Sequence, residues 1–91
     1  MQNSERSCVI RNRLGLHLRA ANKLVRVASR FESDIWLAKE DLEVDAKSIM
    51  GLTLLAASCG SKVTVRARGM DARAAVDAVG ALIESRFEEE E

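Results

Sequence analysis

Two hydrophobic periods alternate along this chain, and their order restricts what it can become. From Lys62 to Arg68 every second residue is apolar (Val63, Val65, Ala67), the two-residue period of a half-buried strand. From Ala72 to Phe87 the apolar residues Ala72, Ala75, Val76, Val79, Leu82, Ile83 and Phe87 recur at three- and four-residue steps, the stripe of an amphipathic helix. Gly69-Met70-Asp71 separates the two segments, and Asp71 is the residue type that caps a helix start.

The earlier part of the chain repeats this alternation. Arg6 to Arg11 reads as a strand with Cys8 and Ile10 on one face, broken by Asn12-Arg13-Leu14-Gly15. From Leu18 to Phe31 a helical stripe of Ala21, Leu24, Val25, Ala28 and Phe31 is backed by Arg19, Lys23, Arg26 and Arg30. After Glu32-Ser33-Asp34, the runs Ile35 to Ala38 and Leu42 to Ala46 flank the charged turn Lys39-Glu40-Asp41 and read as a hairpin. Trp36 then points away from Ile35 and Leu37, onto the opposite face of the sheet. Lys47 to Ala56 reads as a short helix capped by Ser48 and closed by Ala57-Ser58-Cys59-Gly60, with Gly60 taking the left-handed cap. Ile49 and Met50 are adjacent, so a helix on one sheet leaves one of them for solvent or a partner.

The order strand, helix, strand, strand, helix, strand, helix predicts an α+β fold of two layers, one antiparallel sheet with its helices on one face. The 91 residues form a single domain, residues 1–91, with a core over about 5–87. The run Glu88 to Glu91 is expected to be a solvated acidic tail.

Charge and cysteine content exclude several functions. Lys plus Arg and Asp plus Glu number 14 each, so no net field recruits nucleic acid or an anionic membrane, and Phe31, Trp36 and Phe87 supply no stacking platform. Cys8 and Cys59 lie far apart without metal-ligand spacing, so no zinc site is expected. Met1 to Arg6 precedes no apolar run and no segment reaches membrane-spanning length, which predicts a cytoplasmic protein with reduced thiols and no membrane insertion.

One stretch carries chemistry. Gly15-Leu16-His17-Leu18-Arg19-Ala20-Ala21 places the chain's single histidine where a loop becomes a helix. The first turn of a helix offers unpaired N–H groups and the positive end of the macrodipole, and Arg19 adds a guanidinium, so the stretch suits an anion. Neutral imidazole is a good nucleophile near pH 7, and a phosphoryl group arriving at His17 has its charge neutralised on arrival. On these residues alone, a surface N-cap histidine without function is the simpler reading.

Three segments in order resemble one family. Gly15-Leu16-His17 with Arg19 and Ala21, then Ala46-Lys47-Ser48-Ile49-Met50-Gly51-Leu52, then Gly69 with Asp71-Ala72, are similar to motifs of HPr. That family comprises the histidine-containing phosphocarriers of the bacterial phosphoenolpyruvate-dependent phosphotransferase system. The resemblance implies an open-faced β-sandwich, βαββαβα, with a four-stranded antiparallel sheet and three helices. It implies that Enzyme I phosphorylates His17 at Nδ1 and that the group passes to a IIA protein or domain. By the same resemblance Arg19 neutralises the phosphoryl group and Ser48 is the site of an ATP-dependent HPr kinase/phosphorylase. Leu18, Ile49, Met50 and Thr53 would form the docking surface, and the carrier, working as a monomer, would need no cofactor or metal.

Two residues depart from the family pattern. A small residue usually follows the histidine and a proline the arginine, where this chain has Leu18 and Ala20. Without the proline's fixed φ, Arg19 is expected to be less rigidly held. The alternative to a phosphoryl relay is an interaction-only regulator working through Ser48. A third reading, an unrelated small α+β binding domain, would make three ordered motif matches accidental.

Overall fold

A computed structural model describes residues 1–89 and has the expected element order. Its elements are β1 (Gln2–Val9), α1 (Leu18–Ala28), β2 (Asp34–Lys39), β3 (Leu42–Asp45), α2 (Ile49–Leu55), β4 (Lys62–Gly69) and α3 (Ala72–Glu84), followed by a 3₁₀ turn, Arg86–Glu88. The four strands form one antiparallel sheet in the order β1-β4-β2-β3. β4 is thus central, which is why its alternation is the cleanest in the chain.

The helices cover one face of the sheet. Cys8, Ile35, Leu37, Val63, Val65 and Ala67 face them and are buried against Leu24, Val76, Val79 and Ile83. α2 packs between α1 and β3 at one side of this layer. On the open face Glu5, Arg66, Trp36 and Asp45 stand opposite one another across all four strands. Arg66 pairs there with Glu43 at 2.5 Å and Glu5 at 3.5 Å beside a half-buried Trp36. No helix among the described residues is long and apolar enough to cross a membrane.

Five local expectations are corrected. β1 starts at Gln2 rather than Arg6, because the polar residues Gln2 to Glu5 pair with Gly69 to Arg66 of β4 and take their conformation from that ladder. α1 stops at Ala28, and Phe31 packs on the core from the turn that follows. The left-handed residue closing α2 is Ala56 (φ 49°, ψ 42°) rather than Gly60. Gly60, at φ 92°, belongs to the next turn and donates its N–H to the Ile10 carbonyl at 2.7 Å. Asp71 begins α3 but makes no side-chain cap there.

The fifth correction is at the chain's end. α3 stops at Glu84, and Arg86, Phe87 and Glu88 all take positive φ (62°, 54° and 64°). Left-handed backbone costs a non-glycine residue about 1–2 kcal/mol. Burial of the entire Phe87 side chain offsets part of that cost at roughly 1.5–3 kcal/mol. The reversal carries the chain back over α1, where Lys23 Nζ donates to the Phe87 carbonyl at 2.7 Å. Within the acidic run, Glu89 is therefore half-buried rather than solvated, and residues 90–91 lie outside the described residues.

Candidate functional site

The loop that presents His17 is closed by backbone bonds from both sides. Gly15 N–H donates to the Asn12 carbonyl at 3.1 Å, and Leu16 N–H donates to the Ala57 carbonyl just past α2 at 2.8 Å. Gly15 sits at φ +69°, and a Cβ there would lie 2.6 Å from the Ala57 carbonyl oxygen, so only glycine fits. His17 is the N-cap of α1 in extended conformation (φ −76°, ψ 177°), and its carbonyl receives the Ala21 N–H at 2.8 Å. The amides of Leu18, Arg19 and Ala20 occupy the first turn, where no preceding carbonyl is available to a helical N–H.

The imidazole is partly exposed, with 24% of its side chain accessible, and Nε2 lies 2.5 Å from Glu89 Oε2. Glu89 Oε1 accepts from Asn12 Nδ2 at 3.1 Å, and the same Nδ2 donates to the Gly15 carbonyl at 2.7 Å. Burial pushes the Glu89 carboxyl up. Hydrogen bonds from Asn12 and His17 and the nearby charges of His17 and Lys23 outweigh that and hold it below the usual carboxylate range. A shallow cavity of about 900 Å³ surrounds His17, lined by Leu14, Leu18, Arg13, Arg19, Lys23 and Arg26 together with Glu88 and Glu89. Its cations outnumber its anions, which suits a dianionic group near the ring.

Ser48 is where a cap was expected: its Oγ accepts the Gly51 N–H at 3.0 Å at the start of α2. Ser48, Ile49, Met50 and Thr53 do not line the cavity around His17. It is the far end of α2, through Ala57, that touches the histidine loop. Of the adjacent apolar pair, Met50 is the one turned outward, 79% exposed against 36% for Ile49. Leu54, one turn on and 72% exposed, continues this apolar surface, and Leu14 and Leu18 are exposed at 66% and 64% in the lining of the histidine cavity. Nothing local in the sequence marks Leu14, Leu54 or Asn12 as part of a site, and Glu89, in a run of glutamates, has no period to distinguish it.

The two thiols stand apart from this site. Cys8 is buried in the sheet, where desolvation and the charge of Glu84 raise its pKa against the opposing effect of Arg6, and Cys59 is an exposed turn residue.

Comparison with known proteins agrees with this arrangement. Residues 4–85 match the family described as the PTS HPr component phosphorylation site. Phosphocarrier protein HPr of Xylella fastidiosa (strain 9a5c) is 46% identical over 86 residues, which cover 94% of this chain and 97% of that one. Phosphocarrier protein NPr of Shewanella violacea is 40% identical over 89 residues, 98% of each chain. The crystal structure of HPr-C-His from Thermoanaerobacter tengcongensis superposes with a TM-score of 0.93 at 44% identity, covering 97% of this chain and 99% of that one. A helix-fronting histidine on an open-faced α+β sandwich is thus the frame of a phosphocarrier, a carrier rather than a catalyst. The chain belongs to the HPr family of the phosphotransferase system.

Proposed function

We propose that His17 accepts a phosphoryl group at Nδ1 from phosphorylated Enzyme I and delivers it to a IIA protein or domain. The observation that carries this reading is the position of the chain's single histidine: it caps α1, with the unpaired first-turn amides beside it and Arg13, Arg19, Lys23 and Arg26 around it. Transfer between nitrogen atoms asks for positioning and charge stabilisation more than for covalent chemistry by the protein, and this cavity supplies both. Arg19, exposed at the second helical position, neutralises the phosphoryl oxygens. Leu18, Ile49, Met50 and Thr53 contribute to the docking surface, which extends to Leu14 and Leu54. Ser48 serves as a regulatory site for a kinase. A phosphate at a helix N-terminus is tolerated by the dipole, and its charge falls beside Ile49 and Met50, where it hinders apolar docking.

The test is incubation with phosphoenolpyruvate and Enzyme I, followed by intact-mass measurement before and after mild acid, with His17→Ala as control. An acid-labile adduct that disappears in the variant is expected. No adduct with an active Enzyme I would turn the assignment to an interaction-only regulator, which the exposed Met50 in the first turn after Ser48 would support.

A further inference from the structure

We propose that Glu89, held in place by Asn12, is a positioning residue for His17: its carboxylate keeps the ring proton on Nε2, directs the lone pair to Nδ1, and balances the ring's charge when Nδ1 is phosphorylated. This role rests on the phosphocarrier reading above.

An ionised carboxylate can only accept hydrogen bonds, so the 2.5 Å contact requires that His17 Nε2 bear the proton. The neutral ring then has its lone pair on Nδ1. When Nδ1 attacks phosphorus, the new N–P bond uses that lone pair, the bond from phosphorus to the donor breaks, and its electron pair leaves with the donor. The ring keeps its Nε2 proton and becomes cationic. The counter-charge of Glu89 is already at hydrogen-bond distance, so no reorganisation is needed as the charge forms.

Asn12 is built for holding this group. It is fully buried, its Nδ2 reaches both the Gly15 carbonyl and Glu89 Oε1, and its Oδ1 is without a partner among the described residues. Turning the amide over would set its oxygen against two acceptors, so the orientation is dictated by Gly15 and Glu89. A buried amide with an orphaned oxygen is unfavourable in a loop. With His17 it joins the histidine loop to Glu89, a residue 72 positions beyond His17. The left-handed turn at Arg86–Glu88, pinned by Phe87 and Lys23, delivers Glu89 to this point.

The experiment uses the full chain, wild type and with Glu89→Gln, Asn12→Ala and both. Phosphoramidate is a phosphoryl donor that needs no docking surface, its nitrogen leaving as ammonia with the electrons of the broken P–N bond. The acceptance rate is read by intact mass, repeated with phosphoenolpyruvate and Enzyme I, and the Nε2–H proton of unphosphorylated His17 is followed by nitrogen-edited NMR. We expect a protected Nε2–H signal that Glu89→Gln abolishes, with acceptance slowed about tenfold. Asn12→Ala should slow acceptance less, and adding it to Glu89→Gln should cost nothing more, because it acts through Glu89. Unchanged acceptance in Glu89→Gln overturns the role, as does faster acceptance, which would make the tail a plug. Wild-type protein that takes no phosphoryl group from either donor overturns the carrier reading and this role with it, whereas normal acceptance by both wild type and Glu89→Gln overturns this role alone.

Discussion

Asp71 directs its carboxylate to Ser33 instead of to its own helix. Oδ1 accepts from the Ser33 backbone N–H at 2.9 Å and from Ser33 Oγ at 2.5 Å, and Oδ2 accepts from the Glu32 N–H at 2.9 Å. One side chain thus satisfies the donors of the loop that leads into β2. The same junction forces Gly69, where a Cβ would lie 2.4 Å from Ser33 Oγ.

These bonds make the junction sensitive to acid. The Ser33 hydroxyl foremost, and then the backbone donors, hold the Asp71 carboxyl below its ordinary value of 3.8. A carboxyl depressed in the folded state contributes stability that is fully present above its unfolded value and is lost as pH falls through the folded one. Thermal melts from pH 7 down to pH 2 should show this loss beginning near pH 4 in the wild type. In Asp71→Asn the melting temperature should be lower at pH 7 and its fall in acid shallower. Equal acid slopes for the two proteins would refute the assignment.

Gly15→Ala should destabilise the histidine loop. The substitution meets both a left-handed backbone and the Ala57 carbonyl, so a cost above about 1 kcal/mol is expected. In a domain of this size that corresponds to a fall in melting temperature of about 4–8 °C for each kcal/mol. Phosphoryl acceptance should fall with it, since Gly15 sets where His17 stands.

Phe87→Ala removes the side chain that pins the reversal after α3. Truncating a fully buried phenylalanine typically costs about 3–5 kcal/mol. Calorimetry should place this variant toward the lower figure, because the last turn can detach without unfolding the sheet. Hydrogen exchange should then report loss of protection around Glu88 while β4 stays protected.

Met50→Asp tests the docking surface separately from the fold. Met50 is 79% exposed, so stability should change by no more than about 0.5 kcal/mol. In assays with Enzyme I the KM should rise about tenfold, the size of one lost apolar anchor. Acceptance from phosphoramidate should be unaffected, which separates docking from chemistry.

The sequence by itself determined the order of elements, the buried faces and the position of His17. Those features follow from local periods: alternation in β4, helical stripes in α1 and α3, a serine in register to cap α2. Leu24, Val65 and Ile83 are buried where their spacing required, and Ser48 caps the helix its position predicted. The signal is local because a strand or a helix must turn a fixed subset of residues inward, whatever it packs on.

Tertiary structure decided the rest. Gln2 to Glu5 become strand only because β4 offers a partner. Asp71 has a good cap sequence, yet Ser33 and Glu32 bring donors from 38 and 39 positions away and take its oxygens. The last turn combines conformations that no local preference favours, and it exists because Phe87 finds a buried site and Lys23 a carbonyl. Glu89 reaches His17 through that turn, across 72 positions of chain, and a glutamate run carries no periodic mark of which residue will be buried. Contacts of this kind depend on which surfaces the completed fold brings together, and local sequence patterns hold no record of them.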